Sequence, residues 1–186
     1  MTQVAPAHSN SASPYLPAKL EQFRRACLFT VGEHVFVTNG TFNRQFVRVE
    51  KLTPVPRGPQ ALLGLFAVRS QVRPLYRLER LLGMSEATEQ RNETAALFEV
   101  AGNTFGVMVS AVLGFPNFNT DTFLPLNASH PAGLRDLALG TVVLEGKTAI
   151  ILDLEVLLTR IQVQVKPAGA FVAPSPEPLC EPREFA

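Results

Sequence analysis

The fold of this chain is decided by residues 52–83, which read LTPVPRGPQALLGLFAVRSQVRPLYRLERLLG. The prolines within 54–59 fix φ and disfavour a helix, so they predict an extended connector. The apolar run 62–69 predicts a buried strand, and a second strand follows a turn predicted at Ser70-Gln71. Gly83 is placed to end one short turn of helix. The stretch therefore predicts a connector, a β-hairpin and a helical turn.

The segments on either side of this stretch predict further short strands. Hairpins are predicted at 26–31 with 34–37 around Gly32-Glu33, at 96–100 with 105–109 around residues 101–104 with their Gly-Asn pair, and at 137–144 with 148–152 around residues 145–147. We expect a helical turn leading into a strand over 41–49, a loop or frayed helix over 84–94, and a loop over 114–131. Residues 153–161 predict a helix with Asp153 as N-cap. Many short strands and one late helix predict a barrel or a sandwich.

The order of these features resembles the CheW-like domain family of bacterial chemotaxis scaffolds. In that family a Thr-Pro-x-Pro lead-in, a further proline, an apolar-Gly-apolar strand, an Asn-Leu-Arg-Gly turn, a Pro-hydrophobic-Asp-Leu strand and a Leu-Gly stop follow one another. Matching positions here are Pro59, Gly64, Arg69, Pro74, Leu78 and Leu82-Gly83, with Gly106-Val107-Met108-Val109 and Asp153-Leu154-Glu155-Val156-Leu157-Leu158 in the second half. The resemblance covers residues 26–161.

The chain departs from the family pattern at a few informative positions. The Asn-Leu-Arg-Gly turn has become Ala67-Val68-Arg69-Ser70, the aspartate of the following strand has become Arg77, and an aspartate in the second half has become Ser110. These changes fall at Ala67, Ser70, Arg77 and Ser110. They are the positions at which partner binding by this chain can differ from that of the family.

The resemblance implies an all-β fold with minor α, built from two intertwined small five-stranded barrels and a short C-terminal helix. Composition and spacing alone support only a compact all-β unit. We expect a disordered N-terminal tail over 1–22, a CheW-like domain over 23–163 whose chain crosses between sub-barrels near 84–95, and a Pro-rich disordered tail over 164–186.

Composition excludes several classes of protein. The chain has 186 residues, 46% of them hydrophobic, and its 17 Lys+Arg against 16 Asp+Glu give a net charge of +1. Such a balance provides no global field for nucleic acid or an anionic membrane. No apolar run approaches the roughly 20 residues that span a bilayer, and the first residues have neither the basic start nor the apolar core of a secretory signal, so we expect none. Two unpaired cysteines, Cys27 and Cys180, agree with the cytoplasmic location that we expect.

The sequence assembles no catalytic, cofactor or metal site. His34 and His130 lie away from other ligand types at metal-binding spacing, and no Gly-x-Ser-x-Gly elbow occurs. Cys27 lies in an apolar strand, where a thiol is usually inert packing. Residues 102–106 fit hairpin geometry better than a phosphate loop. We therefore predict a protein that is not an enzyme and needs no cofactor.

The resemblance implies a non-catalytic scaffold that couples the cytoplasmic tip of a chemoreceptor to the regulatory domain of a histidine kinase. A diverged adaptor for another assembly, such as type IV pilus twitching motility, is the alternative, and an enzyme of unknown class is a weaker one. Candidate partner-binding residues are Arg57, Arg69, Arg73 and Arg77, which can instead form a solvated rim. Gly64, Pro74, Gly106 and Asp153 are predicted to serve turns and packing.

Two roles are open for Arg69. In the family this arginine has an acidic partner before the proline lead-in, where Gln45 stands in this chain. The guanidinium can pair inside the fold with Gln45 or Glu50, or it can bind an acidic group on the kinase. We favour the internal role, because the stem of Arg69 leaves a run predicted to be buried.

Overall fold

The structure is a computed structural model that describes residues 17–23, 25–84 and 93–165. Its elements, in chain order, are a 3-10 helix (Ala18–Gln22), β1 (Ala26–Val31), β2 (His34–Asn39), β3 (Asn43–Arg48), β4 (Leu62–Val68), β5 (Gln71–Tyr76), α1 (Leu78–Leu82), β6 (Thr94–Val100), β7 (Asn103–Val109), β8 (Ala111–Gly114), α2 (Ala132–Leu137), β9 (Ala138–Leu144), β10 (Lys147–Leu152) and α3 (Leu154–Val165).

The strands form two five-stranded sheets. The first sheet has the order β8-β1-β2-β10-β9, and the second has the order β3-β6-β7-β5-β4. In each sheet two antiparallel hairpins join through one parallel pair, β2 with β10 and β7 with β5. Both ends of the chain build the first sheet, while its middle builds the second. The prediction of a mostly β fold with two intertwined five-stranded halves and a C-terminal helix is confirmed.

The two halves are sheets, however, and not the closed barrels that we expected. Within the described residues no ladder joins β8 to β9 or β3 to β4. Thr53 and Leu65 exchange two backbone hydrogen bonds on the outer side of β4, each 2.8 Å long. Leu124 and Thr141 do the same beside β9, at 2.9 and 2.8 Å. These connecting segments occupy the edges at which a closing strand would pair.

Two segments of the chain repeat one structure. The first hairpin–helix unit, residues 62–82, and the second hairpin–helix unit, residues 138–158, each contain a hairpin and the start of a helix. At a spacing of 76 residues, Leu63-Gly64 corresponds to Leu139-Gly140, and Leu78-Glu79-Arg80-Leu81-Leu82 corresponds to Leu154-Glu155-Val156-Leu157-Leu158. Each unit completes a sheet that contains a hairpin from the other half of the chain, which is how the halves intertwine.

A row of four phenylalanines joins the two sheets. The row runs in the order Phe36, Phe29, Phe98 and Phe105, with the first two in the first sheet and the last two in the second. The ring centroids of each neighbouring pair are 6.1 Å apart. All four side chains are buried in a core that both sheets share. Phe29 and Phe98 hold equivalent places in β1 and β6, so the row repeats about its centre. Burial of large aromatic rings makes this junction a main source of stability.

Three hairpin turns have both of their central residues in the left-handed region of φ. These turns are Arg69-Ser70 (φ 48° and 66°), Ala101-Gly102 (47° and 76°) and Glu145-Gly146 (50° and 75°). Two-residue turns with positive φ at both positions match the twist of the strands that they connect. The first turn begins one residue earlier than predicted, and the second lies within the turn predicted over residues 101–104. Ser70 is the second residue of its turn, where the other two turns have glycine.

The packed part of the chain extends beyond the predicted domain boundaries. Leu20, in the 3-10 helix, is only 1% exposed, and α3 continues to Val165. The structure also adds β8 and α2, which lay outside the predicted elements. Residues 41–49 form a turn and the strand β3, without a helical turn. Of the tails predicted over 1–22 and 164–186, residues 1–16 and 166–186 lie outside the described residues, as does most of the predicted crossing near 84–95.

Candidate partner-binding surface

Gly64 lies where the backbone of another segment is too close for a side chain. A Cβ atom at Gly64 would lie 2.5 Å from the carbonyl oxygen of Thr53, and its φ is 153°. Gly140 repeats this arrangement in the second unit, with 2.6 Å to the carbonyl oxygen of Leu124 and a φ of 158°. Both glycines allow a connecting segment to pair with the edge of their strand.

Pro74 and Gly106 occupy positions in the second sheet that suit a proline and a glycine. Pro74 lies opposite Leu65, whose backbone groups point outward to Thr53, so the proline removes no bond from the β4–β5 ladder. A Cβ atom at Gly106 would lie 2.9 Å from Leu75 and 3.0 Å from Phe66, so the glycine makes room for these side chains. Both residues therefore fix the position of β5 between its neighbours.

Asp153 begins α3 as its N-cap. One carboxylate oxygen accepts from the backbone N–H groups of Glu155 (3.1 Å) and Val156 (3.2 Å), and the other accepts from Lys19 Nζ at 2.7 Å. Lys19 also contacts Glu155 at 2.8 Å. Hydrogen bonds to Asp153 and then Glu155 raise the pKa of Lys19. This cluster fastens the N-terminal 3-10 helix to the start of α3.

The arginines predicted to bind a partner do not form one patch. Arg57 occupies an exposed turn (φ 56°) beside the start of β4, and the backbone N–H of Arg77 donates to Ala61 near the same end. Arg69 lies at the opposite end of the hairpin, across a strand of seven residues and therefore roughly 20 Å away. Arg73 lies between them on β5 and donates to Gln71. The structure thus spreads the four arginines along the length of the hairpin.

Arg69 is exposed at the tip of the hairpin. Within the described part of the chain no hydrogen bond or ion pair joins it to Gln45 or Glu50. The predicted pairing of Arg69 inside the fold is therefore wrong. The strand ends at Val68, and the side chain of Arg69 extends into solvent from the turn that follows. The guanidinium is available to a partner.

Among the residues that the structure describes, none pairs with the outer edge of β4 beyond Leu65. Ala67 points its backbone groups in the same outward direction as Leu65, because peptide groups alternate along a strand, and β4 is the last strand of its sheet. The equivalent residue of β9 is Val143, whose N–H donates to Thr122 Oγ1 at 2.8 Å and whose carbonyl accepts from it at 3.3 Å. The corresponding place beside β4 holds Lys51, which has no hydroxyl group.

Exposed apolar side chains accompany this open edge. Val72 lies directly opposite Ala67 in the ladder and is 63% exposed. We call Ala67, Arg69, Val72 and the outer backbone of β4 the hairpin edge. An unpaired strand edge with apolar neighbours can accept an extended segment as an additional strand. Sequence reasoning identified Arg69 but missed Ala67, Val72 and the open backbone.

A second apolar surface lies where the two sheets meet. Phe46 of β3 and Phe115, just after β8, have ring centroids 6.0 Å apart, and Phe115 is 46% exposed. Phe115 also lines a cavity of about 520 Å³ with Arg25, Gly40 and Thr41. We call this the inter-sheet groove. Its size and its aromatic wall suit an apolar side chain from a partner helix.

The described residues contain no group of three or more His, Cys, Asp or Glu side chains that could hold a metal ion. Burial raises the pKa of the Cys27 thiol to about 12. Such a thiol is not an activated nucleophile.

Ser110 stands where the family has an aspartate. Its hydroxyl oxygen accepts a hydrogen bond from the backbone N–H of Gly32 at 2.9 Å and so supports the β1–β2 turn.

A family model described as the CheW-like domain matches residues 25–162. The chain belongs to this family. The chemotaxis protein CheW of Rhizobium meliloti (strain 1021) is 24% identical over 132 residues, which cover 71% of this chain and 85% of that protein. The chemotaxis protein CheW of Thermotoga maritima is 26% identical over 113 residues, 61% of this chain and 73% of that protein. The family was therefore identified correctly from the sequence.

A solved structure shares the fold of this family member. The crystal structure of the scaffolding protein TtCheW from Thermoanaerobacter tengcongensis aligns with a TM-score of 0.62 at 18% identity. The alignment covers 72% of this chain and 91% of that chain. Among the described residues, no helix is long and apolar enough to cross a membrane.

Proposed function

We propose that this CheW-like protein is a non-catalytic scaffold that couples a chemoreceptor to a histidine kinase in chemotaxis signalling. Membership of the family supports this proposal, and two relatives carry the name chemotaxis protein CheW. The observation that carries the proposal is the hairpin edge. An open strand edge beside exposed apolar groups is a surface for another protein.

We assign the kinase regulatory domain to the hairpin edge. An extended strand of the kinase pairs with the outward N–H and C=O of Ala67, while Val72 provides apolar contact. The exposed Arg69 meets an acidic group on the kinase, which guides association and fixes register. Ala67, Arg69 and Val72 thus have separate roles within one contact.

We assign the cytoplasmic tip of the receptor to the inter-sheet groove. A receptor helix places an apolar side chain against Phe115, in the cavity beside Thr41. The two surfaces lie on different parts of the fold, since the hairpin edge belongs to the second sheet alone. One chain can therefore hold both partners at once.

The test measures binding of the purified chain to the kinase regulatory domain and to the receptor tip from the same genome, by calorimetry. Ala67→Pro removes the outward N–H without removing a bond of the β4–β5 ladder. Lys51→Thr places beside β4 the residue type that covers the edge of β9. Both variants are expected to weaken kinase binding about tenfold or more and to leave receptor binding unchanged.

Phe115→Ser is the reciprocal variant, and it is expected to weaken receptor binding alone. Lys147→Thr is the matched control, because it makes the same exchange as Lys51→Thr at an exposed position of the first sheet. Wild-type kinase affinity in both Ala67→Pro and Lys51→Thr would remove the hairpin edge from the proposal. Binding only to the kinase and receptor of a twitching system would place the scaffold in that assembly.

A further inference from the structure

A groove separates α3 from the second sheet, and we call it the α3 groove. Its volume is about 460 Å³, which is in the range of sites that hold a peptide side chain or a small ligand. The apolar floor is made by Pro74, Tyr76, Phe105, Leu158 and Ile161, and the polar rim includes Arg73, Asn103 and Gln162.

The chain leaves α3 at the mouth of this groove. Gln162 lines the groove, and α3 ends at Val165. Leu158 lies seven residues before that end, or about 10 Å along the helix axis. Phe171 lies six residues after it, and six extended residues span about 20 Å. The side chain of Phe171 can therefore reach every part of the groove floor.

The sequence that follows α3 is complementary to the groove in polarity and in charge. Phe171-Val172 is an apolar pair between Pro167 and Pro174, and nearby prolines reduce the conformational entropy that binding must overcome. Residues 167–186 carry three glutamates and one arginine, a net charge of −2. Arg73 is the charged residue among those that line the described groove, so the charges are complementary.

We propose that residues 166–186 of the chain itself occupy the α3 groove, with Phe171 as the apolar anchor. The segment then lies over Tyr76 and Leu158 and brings its glutamates near Arg73. An acidic partner that uses Arg73 must compete with this segment. The groove is thus an internal binding site that regulates access to one side of the second sheet, and this inference does not depend on the proposed function.

The experiment uses the full chain with a nitroxide spin label at Gly169→Cys in a Cys180→Ser background. Cys27 is fully buried and does not react. The amide signals of Arg73, Asn103 and Thr104 are expected to be broadened much more than those of Val143 and Lys147 in the first sheet. Phe171→Ser removes the anchor and should lower occupancy about tenfold or more, so the broadening should fall several-fold.

Phe185→Ser is the matched control, since it makes the same exchange at a phenylalanine of the same segment that is not the anchor, and it should keep the broadening. Equal broadening with and without Phe171 would show that a tethered label merely samples this region, and would overturn the proposal. A mixture of ¹⁵N-labelled chain without nitroxide and unlabelled chain with nitroxide tests for a second copy. Broadening in that mixture would assign the groove to another molecule instead.

Discussion

The two hairpin–helix units share a topology but begin their helices differently. In the second unit Asp153 caps α3, which runs for 12 residues. Arg77 holds the same position in the first unit and makes no side-chain cap bond to α1, which runs for 5 residues. The apolar positions and the edge glycine are common to both units, so they maintain the topology, whereas the residue at the N-cap is free to vary with helix length.

The strongest test of this comparison replaces the glycine that both units keep. Gly64→Ala and Gly140→Ala are each expected to lower the free energy of unfolding by about 3 kcal/mol, because each new Cβ meets a backbone carbonyl at an unfavourable φ. Chemical denaturation measures both losses. Gly114→Ala is the control, since φ is also positive (137°) but nothing lies within 4 Å, and it should cost about 1 kcal/mol. A loss at Gly64 equal to that of the control would contradict the close approach to Thr53.

The next test gives the second unit the uncapped helix start of the first. Asp153→Ala removes two bonds to backbone N–H groups and the contact with Lys19, so we expect a loss of about 1–2 kcal/mol in the free energy of unfolding. Glu155→Ala removes only an exposed ion pair with Lys19 and should cost less than about 0.5 kcal/mol. Equal losses for the two variants would show that the cap does not distinguish the units.

The hairpin turns provide a third test, in which the first unit should gain stability. Ser70 adopts a φ of 66° where the second unit has Gly146 at 75°. Ser70→Gly is expected to raise the free energy of unfolding by about 1 kcal/mol, and Gly146→Ala to lower it by a similar amount. Thermal unfolding of both variants checks the pair. A Ser70→Gly protein that unfolds more easily than wild type would mean that the serine has a contact that offsets its strain.

The smallest effect on stability is expected at the tip of the first unit. Arg69 is exposed and has no partner within the described residues, so Arg69→Ala should change the free energy of unfolding by less than about 0.5 kcal/mol. Kinase affinity should instead fall, and the fall should be smaller at high salt because the contact is electrostatic. A clear loss of stability with unchanged affinity would restore an internal role for this arginine.

Much of the fold could be predicted because its signals are local. The proline lead-in, the apolar strands and the cap at Asp153 all depend on neighbours in sequence. The turn at Arg69-Ser70 was placed one residue late, since neither residue is a glycine or an asparagine that would mark a positive φ. The repeat at a spacing of 76 residues was present in the sequence, in the shared Leu-Gly and Leu-Glu-x-Leu-Leu patterns, and was missed.

The candidate site was harder to predict because it depends on distant segments. Whether a strand edge is open is decided by a side chain from another part of the chain: Thr122 covers Val143, while Lys51 leaves Ala67 uncovered. The arginines looked like one patch because they are close in sequence. An extended hairpin separates Arg57 from Arg69 by the length of a strand, which a list of charges cannot show.

The exchange of hairpins between the halves also sets an order for assembly on the ribosome. The strands of the second sheet all lie between residues 43 and 109, so this sheet can close while synthesis continues. The parallel pairing of β2 with β10 forms only after β10 has been synthesised, because Phe36 pairs with Ile150, about 110 residues later. Contacts of such long sequence separation form late. The hairpin of β1 and β2 is therefore the first sheet structure to be made and the last to be completed.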